Sequence, residues 1–370
     1  MRIAYFTHSL DSCWNHGNAH FLRGVLRELR ARGHAVAAYE PEGAWSLENL
    51  LRDHGEAGLD AYRSAYPDLA SARYAAVDAV VDRVADSDLV LVHEWSDPAL
   101  VAALGRARRR GARYTLLFHD THHRAVSAPE EMARFDLTGY DGVLAFGETL
   151  AAVYRAIGWG RRAFVWHEAA DTRLFQPPAD EGPRAGLIWI GNWGDDERSA
   201  ELETYLFRPA AEVGLPLDVY GVRYPAAALA TLERYGARYH GWAANAAAPA
   251  LFARHLATVH VPRRFYVERL PGIPTIRVFE ALACGIPLVC APWDDAEGLF
   301  HPGRDYRVAR TGAEMEGHLR ALRADPDLRQ ALAASGLATI RARHTCAHRA
   351  EELVTIAESL RAPATLEATA

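Results

Sequence analysis

The sequence contains no lysine, so all 41 of its basic residues are arginine. This excludes chemistry that needs a lysine amine, and any phosphate group must be held by arginine or by backbone N–H groups. Cysteine is scarce too: the four residues Cys13, Cys284, Cys290 and Cys346 lack the spacing of a disulfide framework or a metal site. We therefore expect small, reduced core thiols in a reducing compartment.

Positive net charge and long apolar runs are also lacking. The formal net charge is −6, which argues against a nucleic-acid partner. No apolar stretch is long enough to span a bilayer, and the first residues do not form a signal peptide. We expect a cytoplasmic protein whose membrane association is absent or only peripheral.

What the chain does have is length and apolar content, with 370 residues of which 50% are hydrophobic. Such a chain can bury a large core and divide into two domains. Short apolar runs alternate with helical patterns, as in parallel strands buried on both faces. The expected strands lie near 3–6, 35–39, 89–93, 114–118 and 142–146, and then near 187–191, 217–220, 237–240, 257–261 and 288–291.

This alternation predicts two doubly wound, Rossmann-like α/β domains. A stretch rich in Pro, Gly and charge around 176–184 reads as the linker between them. The expected division is 1–176, then 177–345, then a C-terminal helix near 349–360 and a frayed tail within 346–370. Ligands bind outside the carboxyl ends of strands in such sheets, so we expect the site in the cleft between the halves.

The segment 272–292 carries the strongest local signal. It predicts a short helix that starts at Pro274-Thr275, contains Glu280, ends at Gly285 and leads into a buried strand. A helix N-terminus suits a phosphate, and a carboxylate one turn further in could accept hydrogen bonds from ribose hydroxyls. The alternative is an ordinary amphipathic helix that packs on a core and turns Glu280 to water.

Five motifs in order extend this signal over nearly the whole chain. They are L-x-x-x-G-H-x-V at 29–36, a strand followed by His-Asp at 114–120, D-x-x-x-F-x-P at 171–177, a strand followed by Gly at 188–191, and E-A-x-A-x-G-x-P-x-V at 280–289. In this order they resemble the GT-B fold nucleotide-sugar glycosyltransferases of the group 1 superfamily. The stretches 119–124 and 294–300, with the single Glu of the donor helix, are similar to its spore-maturation-protein (CgeB-like) branch.

The resemblance implies that the C-terminal half binds a nucleotide diphosphate sugar as donor substrate, with no metal and no other cofactor. The implied donor residues are Gly191, Asn192, Trp193, Arg263, Arg264, Thr275, Ile276, Arg277 and Glu280. The family often carries a second, sugar-handling Glu eight positions before Glu280, where this sequence has Gly272. The identity of the sugar therefore cannot be carried over.

The resemblance further implies that the N-terminal half supplies the acceptor, which could be a glycan, a lipid or a small molecule. His119 ends an apolar strand, and Asp120 could orient it for proton transfer. Whether His119 acts as a base or binds the donor sugar stays open, and the second role fits a retaining transfer. The loop Asn15, His16, Gly17 and Asn18 follows the first strand and should face the same cleft.

Two other functions fit the same fold. One is a nucleotide-sugar epimerase. The other is a non-catalytic sugar-nucleotide-binding protein, which the missing upstream Glu keeps open.

Overall fold

The computed structural model describes residues 1–159, 162–179, 182–194 and 196–361. Two parallel sheets form the framework, which confirms the predicted fold class. The predicted tail lies almost entirely outside the described residues, as do two positions of the predicted linker, 180 and 181. No helix in the described ranges combines the length and the apolar character needed to cross a bilayer.

The N-terminal sheet has seven parallel strands in the order β3-β2-β1-β4-β5-β6-β7. Its strands are β1 (Arg2–Phe6), β2 (Ala35–Pro41), β3 (Ser71–Tyr74), β4 (Leu89–His93), β5 (Thr115–Asp120), β6 (Gly142–Ala145) and β7 (Ala163–Val165). Its helices are α1 (Ala19–Ala31), α2 (Trp45–His54), α3 (Asp60–Ala65), α4 (Val77–Arg83), α5 (Pro98–Arg109), α6 (Arg124–Ser127), α7 (Pro129–Met132) and α8 (Glu148–Ile157), with a 3₁₀ turn at Glu56–Leu59.

The C-terminal sheet has six parallel strands in the order β10-β9-β8-β11-β12-β13. Its strands are β8 (Leu187–Ile190), β9 (Leu217–Tyr220), β10 (Arg238–Tyr239), β11 (Ala257–His260), β12 (Leu288–Cys290) and β13 (Arg307–Val308). Its helices are α9 (Ser199–Leu202), α10 (Arg208–Val213), α11 (Ala226–Arg234), α12 (Ala248–Phe252), α13 (Arg264–Glu268), α14 (Ile276–Ala283), α15 (Gly312–Ala324) and α16 (Pro326–Arg343), with a π-helical turn at Glu203–Phe207 and a 3₁₀ turn at Asn245–Ala247.

The ten predicted strands are all present, and three short strands were not predicted. β3, β7 and β13 lie toward the edges of the sheets and are only partly buried. Because one side of an edge strand faces solvent or a loop, its sequence lacks the continuous apolar run that marks a central parallel strand. β3 therefore lies unrecognised between the predicted strands at 35–39 and 89–93.

The last helix, α17 (Cys346–Arg361), belongs to the C-terminal end of the chain but packs on α1 and β5 of the N-terminal half. The Trp166 indole N–H donates to the Arg349 carbonyl at 2.9 Å. One continuous hydrophobic core includes Phe21 and Trp166 from the N-terminal half and Phe279 from the C-terminal half. The halves thus share a core beneath the cleft.

Helix α14 starts and ends as the sequence predicts. Thr275 precedes its first turn in an extended conformation, and Gly285 follows it with a φ of 63°. That left-handed conformation strains any residue with a Cβ, which explains why glycine stops the helix there. The helix presents its first turn to the cleft.

Candidate functional site

A cavity of about 770 Å³ lies between the two halves. The segments that follow β1, β4 and β5 line it on one side, and those that follow β8, β9 and β11 on the other. The first turn of α14 closes the wall on the C-terminal side. The cavity thus lies where two sheets of this topology are expected to bind a ligand.

The structure brings ten of the fifteen predicted site residues to the cavity wall. These are Asn15, His16, Gly17, Asn18, Gly191, Asn192, Arg263, Thr275, Ile276 and Arg277. The other five, His119, Asp120, Trp193, Arg264 and Glu280, lie outside the lining of the cavity.

The predicted cleft loop joins the two halves across the cavity. Asn192 Nδ2 donates to Asn15 Oδ1 at 2.9 Å, and Asn15 holds a φ of 49°, which asparagine tolerates better than most residues. Asn18 Nδ2 donates to Thr121 Oγ1 at 2.9 Å. A Cβ on Gly17 would lie 3.5 Å from the Ile276 side chain, so this loop runs beside the first turn of α14.

Four arginine residues, Arg198, Arg223, Arg263 and Arg277, line the C-terminal side of the cavity. Arg263 pairs with Glu197, and Arg277 pairs with Glu280. Arg198 instead donates to the carbonyl and the side-chain oxygen of Asn192, both at 2.9 Å. Burial and the positive charge of Arg263 lower the pKa of Arg198 to about 9, so it stays charged at neutral pH. An anion bound between Arg198 and Arg263 would offset the repulsion between their two positive charges.

His260, at the end of β11, supports the start of α14. Its Nε2 lies 3.0 Å from Thr275 Oγ1. Burial, followed by the nearby Arg198 and Arg277, lowers the pKa of His260 to about 3, so the ring is neutral. His260 therefore adds no positive charge to that of the arginines on this side of the cavity.

Glu280 lies behind this wall, fully buried. Its Oε2 accepts from Arg277, and its Oε1 lies 2.9 Å from His20 Nδ1 on α1. In this structure Glu280 therefore holds Arg277 and ties α14 to the N-terminal half. Neither the predicted ribose contact nor its solvent-facing alternative matches the placement, because neighbouring side chains enclose the carboxylate.

His119 and Asp120 are not brought together. They are successive residues of β5, so their side chains point to opposite faces of the sheet. The His119 ring lies 4.7 Å from that of Trp166, and its Nδ1 is 2.9 Å from the Tyr5 hydroxyl. Asp120 accepts from the Tyr154 hydroxyl at 2.7 Å on the other face. Asp120 therefore does not orient His119, and both side chains are fully buried.

The environments of this pair also oppose the predicted proton transfer. Burial lowers the pKa of His119 to about 3, which leaves a neutral imidazole that is a weak base at neutral pH. Burial raises the pKa of Asp120 to about 6, while the hydrogen bond from Tyr154 opposes the rise.

Trp193 and Arg264 do not line the cavity and contact other parts of the C-terminal half. The Trp193 ring stacks on Phe207 at a centroid distance of 5.9 Å. Arg264 is exposed and donates to Glu201 Oε1 at 3.1 Å, whereas its neighbour Arg263 lines the cavity.

Several lining residues were missed by the sequence reasoning. Among them are His8, Trp45, His93, Trp95, Glu168, Glu197, Arg198 and His260. Three of the histidines lie at or just after the carboxyl ends of β1, β4 and β11, so the rule on strand ends could have found them. No local pattern marks Arg198 or Glu168, because tertiary packing alone brings them to the cavity.

Glu168 is a buried carboxyl on this wall, 2% exposed. Within the described ranges its Oε1 has no hydrogen-bond partner. Burial, and next the charge of Glu280, raise the pKa of Glu168 well above the ordinary carboxyl value, while Arg277 opposes the rise. A carboxyl in this state can donate a hydrogen bond to a ligand.

No group of three or more His, Cys, Asp or Glu side chains is arranged to hold a metal ion in the part of the chain that the structure describes.

Part of the chain matches a known family of sequences. Residues 198–355, somewhat less than half of the chain, match the family model described as "Glycosyl transferase-like". Comparison with curated proteins gives no match. The matched part runs from Arg198 into α17 and includes Arg263 and Arg277 of the cavity wall.

Solved structures similar to the chain cover it almost completely. Anabaena Alr3699/HepE, solved with UDP and glucose, has a TM-score of 0.65 at 15% identity and covers 97% of this chain and 100% of its own. T4 phage BGT with its UDP-glucose substrate has a TM-score of 0.60 at 14% identity, covering 98% and 100%. Sucrose-phosphate synthase from Thermosynechococcus elongatus has a TM-score of 0.63 at 16% identity, covering 97% and 99%. At such identities the likeness establishes the shared GT-B fold.

Proposed function

We propose that the protein is a glycosyltransferase that moves a sugar from a nucleotide diphosphate sugar to an acceptor hydroxyl. The observation that carries this proposal is the set of three guanidinium groups, Arg198, Arg263 and Arg277, on one wall of the interdomain cavity beside the first turn of α14.

Transfer leaves a diphosphate behind, so the site must stabilise negative charge as the bond to the sugar breaks. Guanidinium groups bind phosphate oxygens in a bidentate manner, and a helix N-terminus adds unpaired N–H groups. Such donors are most effective when they are fixed before reaction. The arginines and α14 therefore supply the charge that neutralises the diphosphate, and we propose a reaction that needs no metal ion.

Glu280 holds Arg277 in this arrangement. Its Oε2 accepts from the Arg277 guanidinium, and the carboxylate itself is enclosed behind the cavity wall. We therefore assign Glu280 to the positioning of Arg277 for the diphosphate and not to a direct contact with the ribose.

The donor base and sugar follow by analogy. HepE and BGT were solved with UDP-glucose or its parts, so UDP-glucose is the first donor to test. We propose retention of the anomeric configuration and membership of the CgeB-like branch on the sequence resemblance. Proton NMR of the product anomer tests the first of these.

The remaining expectations concern the setting of the reaction. All four cysteines are free and buried, which suits a reducing compartment, and we propose the cytoplasm. With a net charge of −6 we propose an acceptor other than nucleic acid.

Calorimetry on an arginine variant tests the donor site. We expect UDP to bind the native protein, and Arg277→Ala to weaken that binding about 10–100-fold, the loss of a charge-assisted hydrogen bond. For uridine, which lacks the diphosphate, Arg277→Ala should lower the affinity much less. The matched control is Arg264→Ala, which removes an exposed arginine outside the cavity and should leave UDP affinity unchanged.

Failure of the native protein to bind UDP, GDP or TDP would overturn the proposal. Equal losses of UDP affinity in Arg277→Ala and Arg264→Ala would show that the overall positive charge of the protein, and not the cavity wall, determines binding. Product analysis separates the other two functions. An epimerase converts the donor sugar and releases no free nucleoside diphosphate in the presence of an acceptor. A binding protein leaves the donor intact.

A further inference from the structure

Among the aromatic rings that line the N-terminal side of the cavity, five pack together around His8, and the proposed donor chemistry uses none of these five. They belong to His8, His16, Trp45, His93 and Trp95, and are called here the ring cluster. His8 follows β1, His93 ends β4, and Trp45 starts α2. Three separate segments of the N-terminal half thus bring their rings to one place.

His8 is the centre of the ring cluster. Its ring stacks on Trp45 with a centroid distance of 5.8 Å and an interplanar angle of 6°. The His16 ring lies 4.2 Å from it, the His93 ring 5.8 Å and the Trp95 ring 6.3 Å. The five rings therefore form one continuous surface.

The imidazoles of this surface present polar atoms without partners. His8 is 4% exposed, and in the described ranges its Nδ1 has no hydrogen-bond partner. His16 is 6% exposed, and in the described ranges neither of its ring nitrogens has a partner with hydrogen-bond geometry. The backbone of Ser9 and Ser12 lies close enough to raise the pKa of His16, against the larger effect of burial. Buried polar atoms in native proteins almost always have a partner, so this cluster is suited to a ligand that supplies one.

The imidazoles are neutral. Burial, and next the charge of Arg124, lower the pKa of His8 to about 3. Burial is also the first cause that lowers the pKa of His16 and of His93. A neutral imidazole offers one donor and one acceptor, which matches a hydroxyl group.

None of the cavity-lining residues between His8 and His123 is Asp, Glu or Arg. The Glu168 carboxyl also lines the cavity from the N-terminal half, and burial raises its pKa well above the ordinary carboxyl value. The Arg124 guanidinium lies 3.9 Å from the centre of the Trp95 ring and pairs with Glu94. An ionic ligand would find no unpaired counter-charge among these lining residues, and its desolvation would be uncompensated.

The two tryptophans keep large apolar faces open. Trp45 and Trp95 are each 38% exposed, although indole rings are usually well buried. An apolar face beside unpartnered neutral polar atoms fits a ligand that is itself apolar on its faces and hydroxylated at its edges.

We propose that the ring cluster is the acceptor subsite and that the group it takes is an uncharged pyranose ring. This rests on the proposed glycosyl transfer. The ring's C–H face stacks on Trp45 or Trp95, and its hydroxyl groups exchange hydrogen bonds with His8 and His16. The acceptor hydroxyl then faces the arginine wall across the cavity.

The first test needs no donor. Saturation-transfer NMR on the full chain compares methyl β-glucopyranoside with methyl β-glucuronide, which differs by a carboxylate. We expect transfer to the neutral glycoside, and loss of that transfer in Trp45→Ala and Trp95→Ala. Preference for the glucuronide, or equal signals from native and variant proteins, would overturn the assignment even if the transferase proposal also fails.

The second test uses turnover with UDP-glucose and a panel of a neutral glycoside, a glucuronide, an amino sugar and a long-chain alcohol. We expect the neutral glycoside to be the preferred acceptor. Its KM should rise about tenfold in the two tryptophan variants, and Trp45→Phe should restore part of the loss. The KM for the donor and the Kd for UDP should stay as in the native protein.

Leu229→Ala is the matched control, because Leu229 is 40% exposed but lies outside the cavity lining. It should change none of these values. Transfer to the alcohol or the charged sugars with normal UDP binding would overturn the pyranose subsite and leave the transferase proposal standing. Absence of UDP binding would count against the transferase alone.

Discussion

At the scale of single residues, the cavity shows how strongly burial controls charge. Arg198 keeps its charge near Arg263, whereas the histidines around it are neutral. Four histidines have pKa values lowered to about 3, with burial as the first cause: His8, His119, His260 and His344. The cavity thus has charged arginines on its C-terminal side and neutral imidazoles on its N-terminal side.

These histidines predict an acid-sensitive fold. An unfolded histidine takes up a proton below pH 6.5, while the folded form stays neutral until about pH 3, so the free energy of unfolding must fall as the pH drops through that window. Each buried histidine should contribute a loss of about 1–2 kcal/mol between pH 7.5 and pH 5. Urea denaturation at a series of pH values measures the total.

Buried carboxyl groups act with the opposite sign. Burial raises the pKa of Glu168, and burial together with Asp120 raises the pKa of Glu94, so their contribution to stability is lost as the pH rises. We therefore expect maximal stability near neutral pH. His344→Gln, outside the cavity, should reduce the proton uptake on unfolding by about one between pH 6.5 and 5. A pH-independent free energy of unfolding in the native protein would contradict this account.

At the scale of elements, the turn at 171–177 shows what a recognised motif does physically. Asp171 accepts from the Tyr66 hydroxyl at 2.9 Å and pairs with Arg27 of α1. The Phe175 amide donates back to the Asp171 carbonyl at 2.8 Å. The motif therefore fixes the exit of the N-terminal half onto α1.

Gly24 of α1 lets this turn and α17 approach. A Cβ there would lie 2.6 Å from Cys346 Sγ and 2.7 Å from Asp171 Cβ. We expect Gly24→Ala to lower the free energy of unfolding by about 1–3 kcal/mol, because both neighbours are fixed by packing.

Gly317→Ala is the matched change in another helix. Gly317 lies exposed in α15, and a Cβ there would meet no atom within 4 Å. Alanine should raise the free energy of unfolding by about 0.5–1 kcal/mol, since it loses less backbone entropy on folding. Thermal and urea denaturation of Gly24→Ala and Gly317→Ala measure the two changes in the free energy of unfolding. A similar gain in the two would show that α1 and α17 can separate at little cost.

At the scale of the whole molecule, α17 returns the chain to the N-terminal half, and one core spans both halves. Two domains joined only by a linker would unfold separately. Here the loss of either half would expose the apolar side chains of the other.

We therefore expect one cooperative urea transition, with tryptophan fluorescence and far-ultraviolet circular dichroism changing together. A chain that ends at residue 343 lacks α17 and should show two separated transitions. A chain that ends at Arg361 keeps every described contact of α17 and should behave like the native protein. Two transitions in the native protein would contradict the shared core.

The sequence by itself determined the class of fold. Continuous apolar runs mark central parallel strands, and glycine at 285 marks the end of α14, because these properties depend on the local chain. The absence of lysine also determined that arginine is the basic residue available to hold a phosphate group beside backbone N–H groups. The edge strands escaped prediction because their burial depends on neighbours.

Only the tertiary structure decided which side chains form the site. Arg263 and Arg264 are adjacent in sequence, yet one lines the cavity and the other pairs with Glu201 outside it. Arg198, 65 positions before Arg263, joins the same wall because β8 and β11 are neighbours in the sheet. Sequence records residue types and spacing along one chain, whereas a binding site depends on the direction of each side chain and on which distant segments the sheet brings together.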